Sequence, residues 1–261
     1  MISLSIRYQS IPMVPLRKNI NGSMPQFWAE LSANQLIAVA SLSQNAISEL
    51  KFLNRMTGIP IRALKKLSDF ERYKITENLA SVLEMKAHHR FIIPELKLSK
   101  KCRLYAPQAK LKAVSFAQFI FADTYFGNYQ ETGNEADLNK FIASLYLKQD
   151  ELFDEKHIQL RHSQIGKIDK KIRQAIVLNF QLIHEWLALA YPLIFQKNVQ
   201  VVENESRNPE PISRNSSPWI KVFQNLVGDD ILHDEVWAAK PVNTIFAYMT
   251  RKYKENVRMK K

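Results

Sequence analysis

The sequence predicts a mainly α protein: a helical bundle with a short β-hairpin or extended arm in the middle and a C-terminal two-helix segment after a polar linker. Three observations predict it. Glycine is scarce, with 6 residues in 261, whereas all-β sandwiches and barrels need many tight turns. Apolar residues recur at helical spacing behind polar caps. The stretch IVLNFQLIHEWLALAYPLIF, residues 176–195, is apolar on nearly every side, as a helix at the centre of a bundle is.

Residues 2–8 alternate apolar and polar side chains and predict a short strand, followed by an irregular Pro-containing segment. Pro25 suits a first helical turn and opens a helical block in which Phe27, Trp28 and Leu31 cluster. Ser32 caps a second helix bearing Leu36, Ile37, Val39 and Ala40. In NAISELKFLNRMTG, Ile47, Leu50, Leu53 and Met56 share a face, and Gly58 and Pro60 stop the helix. Ser68 and Glu71 form an S-x-x-E capping box for a helix over residues 69–87, with Ile75, Leu79, Val82 and Leu83 turned inward.

Pro94 and Pro107 break the next stretch, in which residues 91–93 and 102–105 predict two short strands or extended arms. Helices resume in AVSFAQFIFADTYFGNY, which carries Phe116, Phe119, Phe121, Tyr125 and Phe126. Asn134 caps the next helix, whose Glu135 and Asp137 suit the positive end of the helix dipole. The long helix is expected over residues 168–195, with Pro192 disturbing its last turn. Residues 203–218 hold three prolines and a single aliphatic side chain, Ile212. So little apolar surface predicts a mobile linker between a core at 1–202 and a C-terminal segment at 219–261. In that segment Pro218 and Gly228 bracket one helix. A last helix shows Ile245, Tyr248, Met249 and Tyr253 on one face and Arg251, Lys252, Lys254, Arg258, Lys260 and Lys261 toward its end.

Charge narrows the function classes. Lys and Arg number 37 against 25 Asp and Glu, a net +12, which points to nucleic acid, an anionic surface or an acidic protein. The excess concentrates at residues 97–112, with Lys97, Lys100, Lys101, Arg103, Lys110 and Lys112 and no acidic residue. Clustered cations bind phosphate backbones, and Tyr105 among them offers a ring for a base to stack on. No helix-turn-helix, RNA-recognition or zinc-finger signature accompanies the arm. A solvated basic hairpin, or one that docks an acidic protein, is the equal alternative.

The chemistry of sites is sparse. One cysteine, Cys102, makes neither an internal disulfide nor a zinc cluster and fits a reducing cytoplasm. It lies among Lys100, Lys101 and Arg103, yet reads as packing in an alternating strand. None of His88, His89, His157, His162, His184 and His233 shows ligand spacing, so no metal is expected. There is no G-x-S-x-G elbow, Walker loop or G-x-G-x-x-G turn, so no catalytic residue and no cofactor is assigned. Glu151, Asp154 and Glu155 form an acidic cluster that offers a place for a cation, with solvated helix-end charges as the commoner reading. Asn179, Gln181, His184 and Glu185 interrupt the apolar stretch near its centre, which predicts a core helix rather than a membrane span. The first twenty residues lack a basic stretch before a long apolar run, so no secretory leader is expected.

Two segments resemble a known group. MPQFWAELSANQLIAVASL and LNKFIASLYLKQDELFDE, the latter followed by LNFQLIHEWLALAYPLIF, resemble in their order uncharacterised proteins encoded in tail gene clusters of phages and prophages of Bacteroidota. The ending WIKVFQNLVGDDILHDEVWAAKPVNTIFAYMTRKYKEN is similar to the endings of those proteins. The resemblance implies a non-enzymatic protein-interaction role in virion tail assembly, such as a tail assembly chaperone. It implies a phage tail component as partner and a location in the host cytoplasm or on the virion. In that reading Trp219, Phe223, Trp237, Phe246 and Tyr248 shield a partner segment, or else they seal the tail onto its own core. The alternative is nucleic-acid binding through the 97–112 arm and the basic C-terminus.

Overall fold

Side chains of Ser32, Ser68, Ser115, Asn134 and Asp154 cap helix N-termini in the computed structural model, which describes residues 1–9, 17–84, 86–195, 219 and 234–259. The described chain is mainly helical with two small antiparallel hairpins. It divides into two units: Met1–His88 with Asp169–Ile183, and His89–Ile168 with His184–Lys261.

In the first unit, β1 (Ile2–Gln9) pairs with β2 (Arg17–Met24), placing Ile6 opposite Ile20 and Leu4 opposite Gly22. Gly22 is required by close approach: a Cβ there would stand 2.6 Å from the Thr57 carbonyl oxygen and 2.7 Å from Ile59 Cγ1. Ser32 and Gln35 form a reciprocal capping box that starts α1 (Ala33–Ser43). Gly58, at φ 75°, ends α2 (Glu49–Thr57) in the left-handed conformation that glycine adopts without strain. After α3 (Ile61–Leu64), the Ser68–Glu71 box starts α4 (Asp69–Asn78), and α5 (Ala80–Leu83) follows. Met24, Trp28, Leu36, Phe52, Leu53 and Met56 are buried here. So are Ile176, Phe180 and Ile183 from the first part of α9 (Lys170–Ala190). Each such large side chain contributes about 1.5–3 kcal/mol on burial.

In the second unit, β3 (Glu95–Lys97) pairs with β4 (Arg103–Tyr105). Leu96 and Leu104 turn inward, and the flanking residues turn out. Tyr105 and Leu147 exchange backbone hydrogen bonds of 2.7 and 3.1 Å, which anchors the hairpin to the segment after α7 (Glu135–Leu145). Tyr146 is fully buried and donates its hydroxyl to the Ile93 carbonyl at 2.8 Å. Burial pushes its phenol far above the usual range. α6 (Phe116–Thr132), capped by Ser115, packs on α7, and α7 packs on α8 (Glu155–Ile165), capped by Asp154. The chain then gives α10 (Asp234–Ala239) and α11 (Val242–Met259), both of which reach α6.

Several expectations shift. Pro25 opens no α-helix: only a 3-10 turn at Trp28–Glu30 forms, because Leu31 is extended and Ser32 takes over as cap. The helix expected over 69–87 pauses at Leu79 and ends at Leu83. There the Glu84 carbonyl accepts the Trp28 indole N–H at 2.9 Å. The strand expected at 91–93 lies at Glu95–Lys97 instead. Phe91, Ile92 and Ile93 are all buried in succession, and Pro94 has no N–H for a ladder. β2 is unforeseen, and α9 ends before Pro192. The two units divide after His88 and within α9, and the boundary expected near residue 202 lies outside the described residues. The linker at 203–218, Phe223, His233, Lys260, Lys261 and the Pro segment at 10–16 lie outside the described residues.

Candidate polyanion-binding surface

The period of a strand decides what the hairpin shows to solvent. With Leu96 and Leu104 paired and buried, the opposite face carries Glu95, Lys97, Arg103 and Tyr105, with Lys97 directly across from Arg103. Lys100 and Lys101 occupy the exposed tip. Arg103 reaches Glu95 at 3.3 Å. Lys97, Lys100, Lys101, Lys110 and Lys112 are exposed and make no ion pair with the described residues. Tyr105 is 38% exposed, so one ring stands within the cationic face.

Lys110 and Lys112 are presented by a different device. Lys110, Leu111 and Ala113 hold positive φ of 61°, 54° and 64°, a conformation that L-residues adopt at a cost. Two hydrogen bonds fix it: the Lys110 amide donates to the His89 carbonyl at 2.6 Å, and Asn243 Nδ2 donates to the Lys110 carbonyl at 2.8 Å. Leu111 is buried, which holds the loop down while both lysines face water.

The last two helices add aromatic rings with cations over them. Trp237 and Tyr248 pack with centroids 5.6 Å apart, and both are half-buried. Lys240 lies 5.3 Å from the Trp237 ring, and Arg251 lies 5.5 Å from the Tyr248 ring. Arg251, Lys252, Lys254 and Arg258 are all exposed.

Two of the aromatic candidates are buried. Trp219 is 8% exposed and Phe246 fully buried. They pack 5.6 Å apart and both meet the Phe119 ring. Trp219 also donates its indole N–H to Asp123 at 2.5 Å, and the other Asp123 oxygen stands 2.7 Å from His184 Nε2. These side chains are buried in the interior of the second unit, as the alternative of sealing onto the core expects. Trp237 and Tyr248 keep partial exposure, and Phe223 lies outside the described residues.

Sequence reasoning missed Glu151 and Arg161. Glu151 serves no helix end: its carboxylate accepts from Arg161 Nη2 and from the Lys148 amide at 2.8 Å, with His157 Nδ1 at 3.1 Å. Burial raises the Glu151 pKa, but the Arg161 and Lys148 hydrogen bonds and the charges of Arg161 and His157 outweigh it and leave the carboxyl below its ordinary value. The available signal was a cation on the inward stripe of α8, at Ile158, Arg161 and Ile165.

Among the described residues, no group of three or more His, Cys, Asp or Glu is placed to hold a metal, and no helix is long and apolar enough to cross a membrane. No protein family model, curated protein or solved structure matches the chain.

Proposed function

We propose that the protein works by binding, and that its ligand is the phosphate backbone of a nucleic acid. The observation that carries this reading is the exposed cationic surface of the hairpin and the loop after it. Five lysines face solvent there without an ion pair among the described residues, and Tyr105 stands within the same face. Exposed like charges repel one another; phosphates neutralise them and release the counterions condensed on the nucleic acid. The half-exposed rings of Trp237 and Tyr248, with Lys240, Arg251 and Lys252 close by, offer stacking and charge together.

The test is a salt titration. Fluorescence anisotropy of a labelled single strand is followed between roughly 50 and 200 mM salt. Affinity should fall steeply, and replacing Lys97, Lys100 and Lys101 with Gln should lower the slope of log K against log salt by about 0.7 per lost phosphate contact. No binding at the lower salt, or an unchanged slope in the triple variant, rejects the reading.

A second proposal is the protein-interaction role in virion tail assembly that the resemblance implies. The Trp237–Tyr248 pair supports it, as the part of the tail aromatic set that keeps some exposure. Burial of Trp219 and Phe246 counts against a chaperone that uses those two rings. Recovery of a tail component with the protein from its host, surviving nuclease treatment, separates this role from strand binding.

A further inference from the structure

We propose that a cavity of about 570 Å³ between the hairpin tip and α8 is a pocket for a dianionic phosphoryl group, that of a phosphate monoester. This goes beyond the strand-binding reading, because the pocket is a separate recess with its own polar walls.

Cations from three places converge on it: Lys148 after α7, Arg161 on α8 and Lys167 just after α8. Arg161 carries the most weight. It is 6% exposed, yet it lines the cavity. Its Nη2 is taken by Glu151, and its Nη1 is buried with no hydrogen-bond partner among the described residues. The part of Arg161 that lines the cavity presents a guanidinium charge to it, and guanidinium groups suit phosphate geometry.

The charge count fits a dianion. Arg161, Lys148 and Lys167 are opposed by Glu151, which leaves two positive charges. A phosphate monoester carries about −1.5 to −2 near neutral pH. Ser99 and Gln164 supply neutral donors in the wall, and His157 lines it with its Nδ1 3.1 Å from Glu151. Leu98 and Leu160 give an apolar side for whatever carries the phosphate. The volume exceeds that of a bare phosphate ion and falls in the roughly 300–1,000 Å³ range of small-molecule sites.

The chain supplies its own reporter. Cys102 is its single cysteine, is half-buried and lines the cavity, so the rate at which iodoacetamide alkylates it reads occupancy. The full chain is tested with adenosine 5′-monophosphate, adenosine, inorganic phosphate, and one oligonucleotide with either a 5′-phosphate or a 5′-hydroxyl. Slowing that saturates with the phosphorylated member of each pair and is absent with the other is the expected result. Protection by inorganic phosphate alone assigns the pocket to the free ion. Protection by the phosphorylated oligonucleotide alone assigns it to a strand end.

Lys148→Gln and Lys167→Gln alter exposed side chains, so folding, checked by circular dichroism, should hold. Each should weaken protection roughly tenfold, the factor that about 1.4 kcal/mol represents. Arg161→Gln should abolish protection. If no phosphorylated probe slows alkylation more than sulfate does, or if both lysine variants protect like the wild type, the proposal is overturned. Mononucleotide protection and the salt slope of strand binding are separate readouts, so either reading can fail alone.

Discussion

Replacing Glu151 with Gln tests the electrostatics of the second unit most directly. The carboxylate is 13% exposed, and the Arg161 side chain it holds is 7% exposed. Gln keeps an acceptor for the Lys148 amide but removes the charge that balances Arg161. Breaking a fully buried pair costs about 3–5 kcal/mol, while a single charge-assisted hydrogen bond is worth about 1.5–3 kcal/mol. The pair is not fully buried, since 13% of the Glu151 side chain is exposed, so the lower range applies and the expected loss is about 2 kcal/mol. With a urea m-value of about 2 kcal/mol/M, the midpoint should fall by about 1 M at neutral pH. The sign with pH follows from linkage. Folding lowers the Glu151 pKa below its ordinary 4.5. The carboxylate's contribution is therefore fully present above 4.5 and lost as pH falls through the depressed folded value. The gap between wild type and variant should be constant from neutral pH down to about 5 and close in stronger acid. A gap under about 0.5 kcal/mol at neutral pH, or one that persists in strong acid, refutes the reasoning.

Two further substitutions test packing in the separate units. Tyr146→Phe removes the hydroxyl that donates to the Ile93 carbonyl in a fully buried site, and urea unfolding should show a loss of about 1–3 kcal/mol. Because folding raises the Tyr146 pKa above 10.0, wild-type stability should decline as pH rises past 10.0, and the Phe variant should lose that component of the decline. Gly22→Ala drives a methyl group to within 2.6 Å of the Thr57 carbonyl. It should cost about 1–3 kcal/mol as an overpacking change, seen as an earlier transition by Trp28 fluorescence in a chain whose other tryptophans are replaced by Phe.

What the sequence shows of this fold depends on how far apart the deciding residues lie. The serines at 32 and 68 and the asparagine at 134 act within three residues, and each caps the helix expected of it. Gly58 stops α2 for an equally local reason. β2 is different: RKNINGSM has one β-branched residue, Ile20, and becomes a strand because β1 pairs with it and Gly22 fits against Thr57. The end of α5 is decided by Trp28, 56 residues from the Glu84 carbonyl it binds. Trp219 finds Asp123 across 96 residues, which no local pattern announces.

The same distance rule explains why charge was legible and the cavity was not. The run of cations at 97–112 is contiguous, and the alternation in β3 and β4 already tells which of its members face water. Lys148, Arg161 and Lys167 come from separate segments, each with an ordinary local reading as a surface or helix-end cation. Only Arg161 breaks a pattern, since it occupies an inward position of α8 between Ile158 and Ile165 and is buried there. A cation kept on an apolar stripe carries a desolvation cost that one carboxylate only partly offsets. Arg161 Nη1 is left without a hydrogen-bond partner among the described residues, a cost that no local pattern in α8 announces.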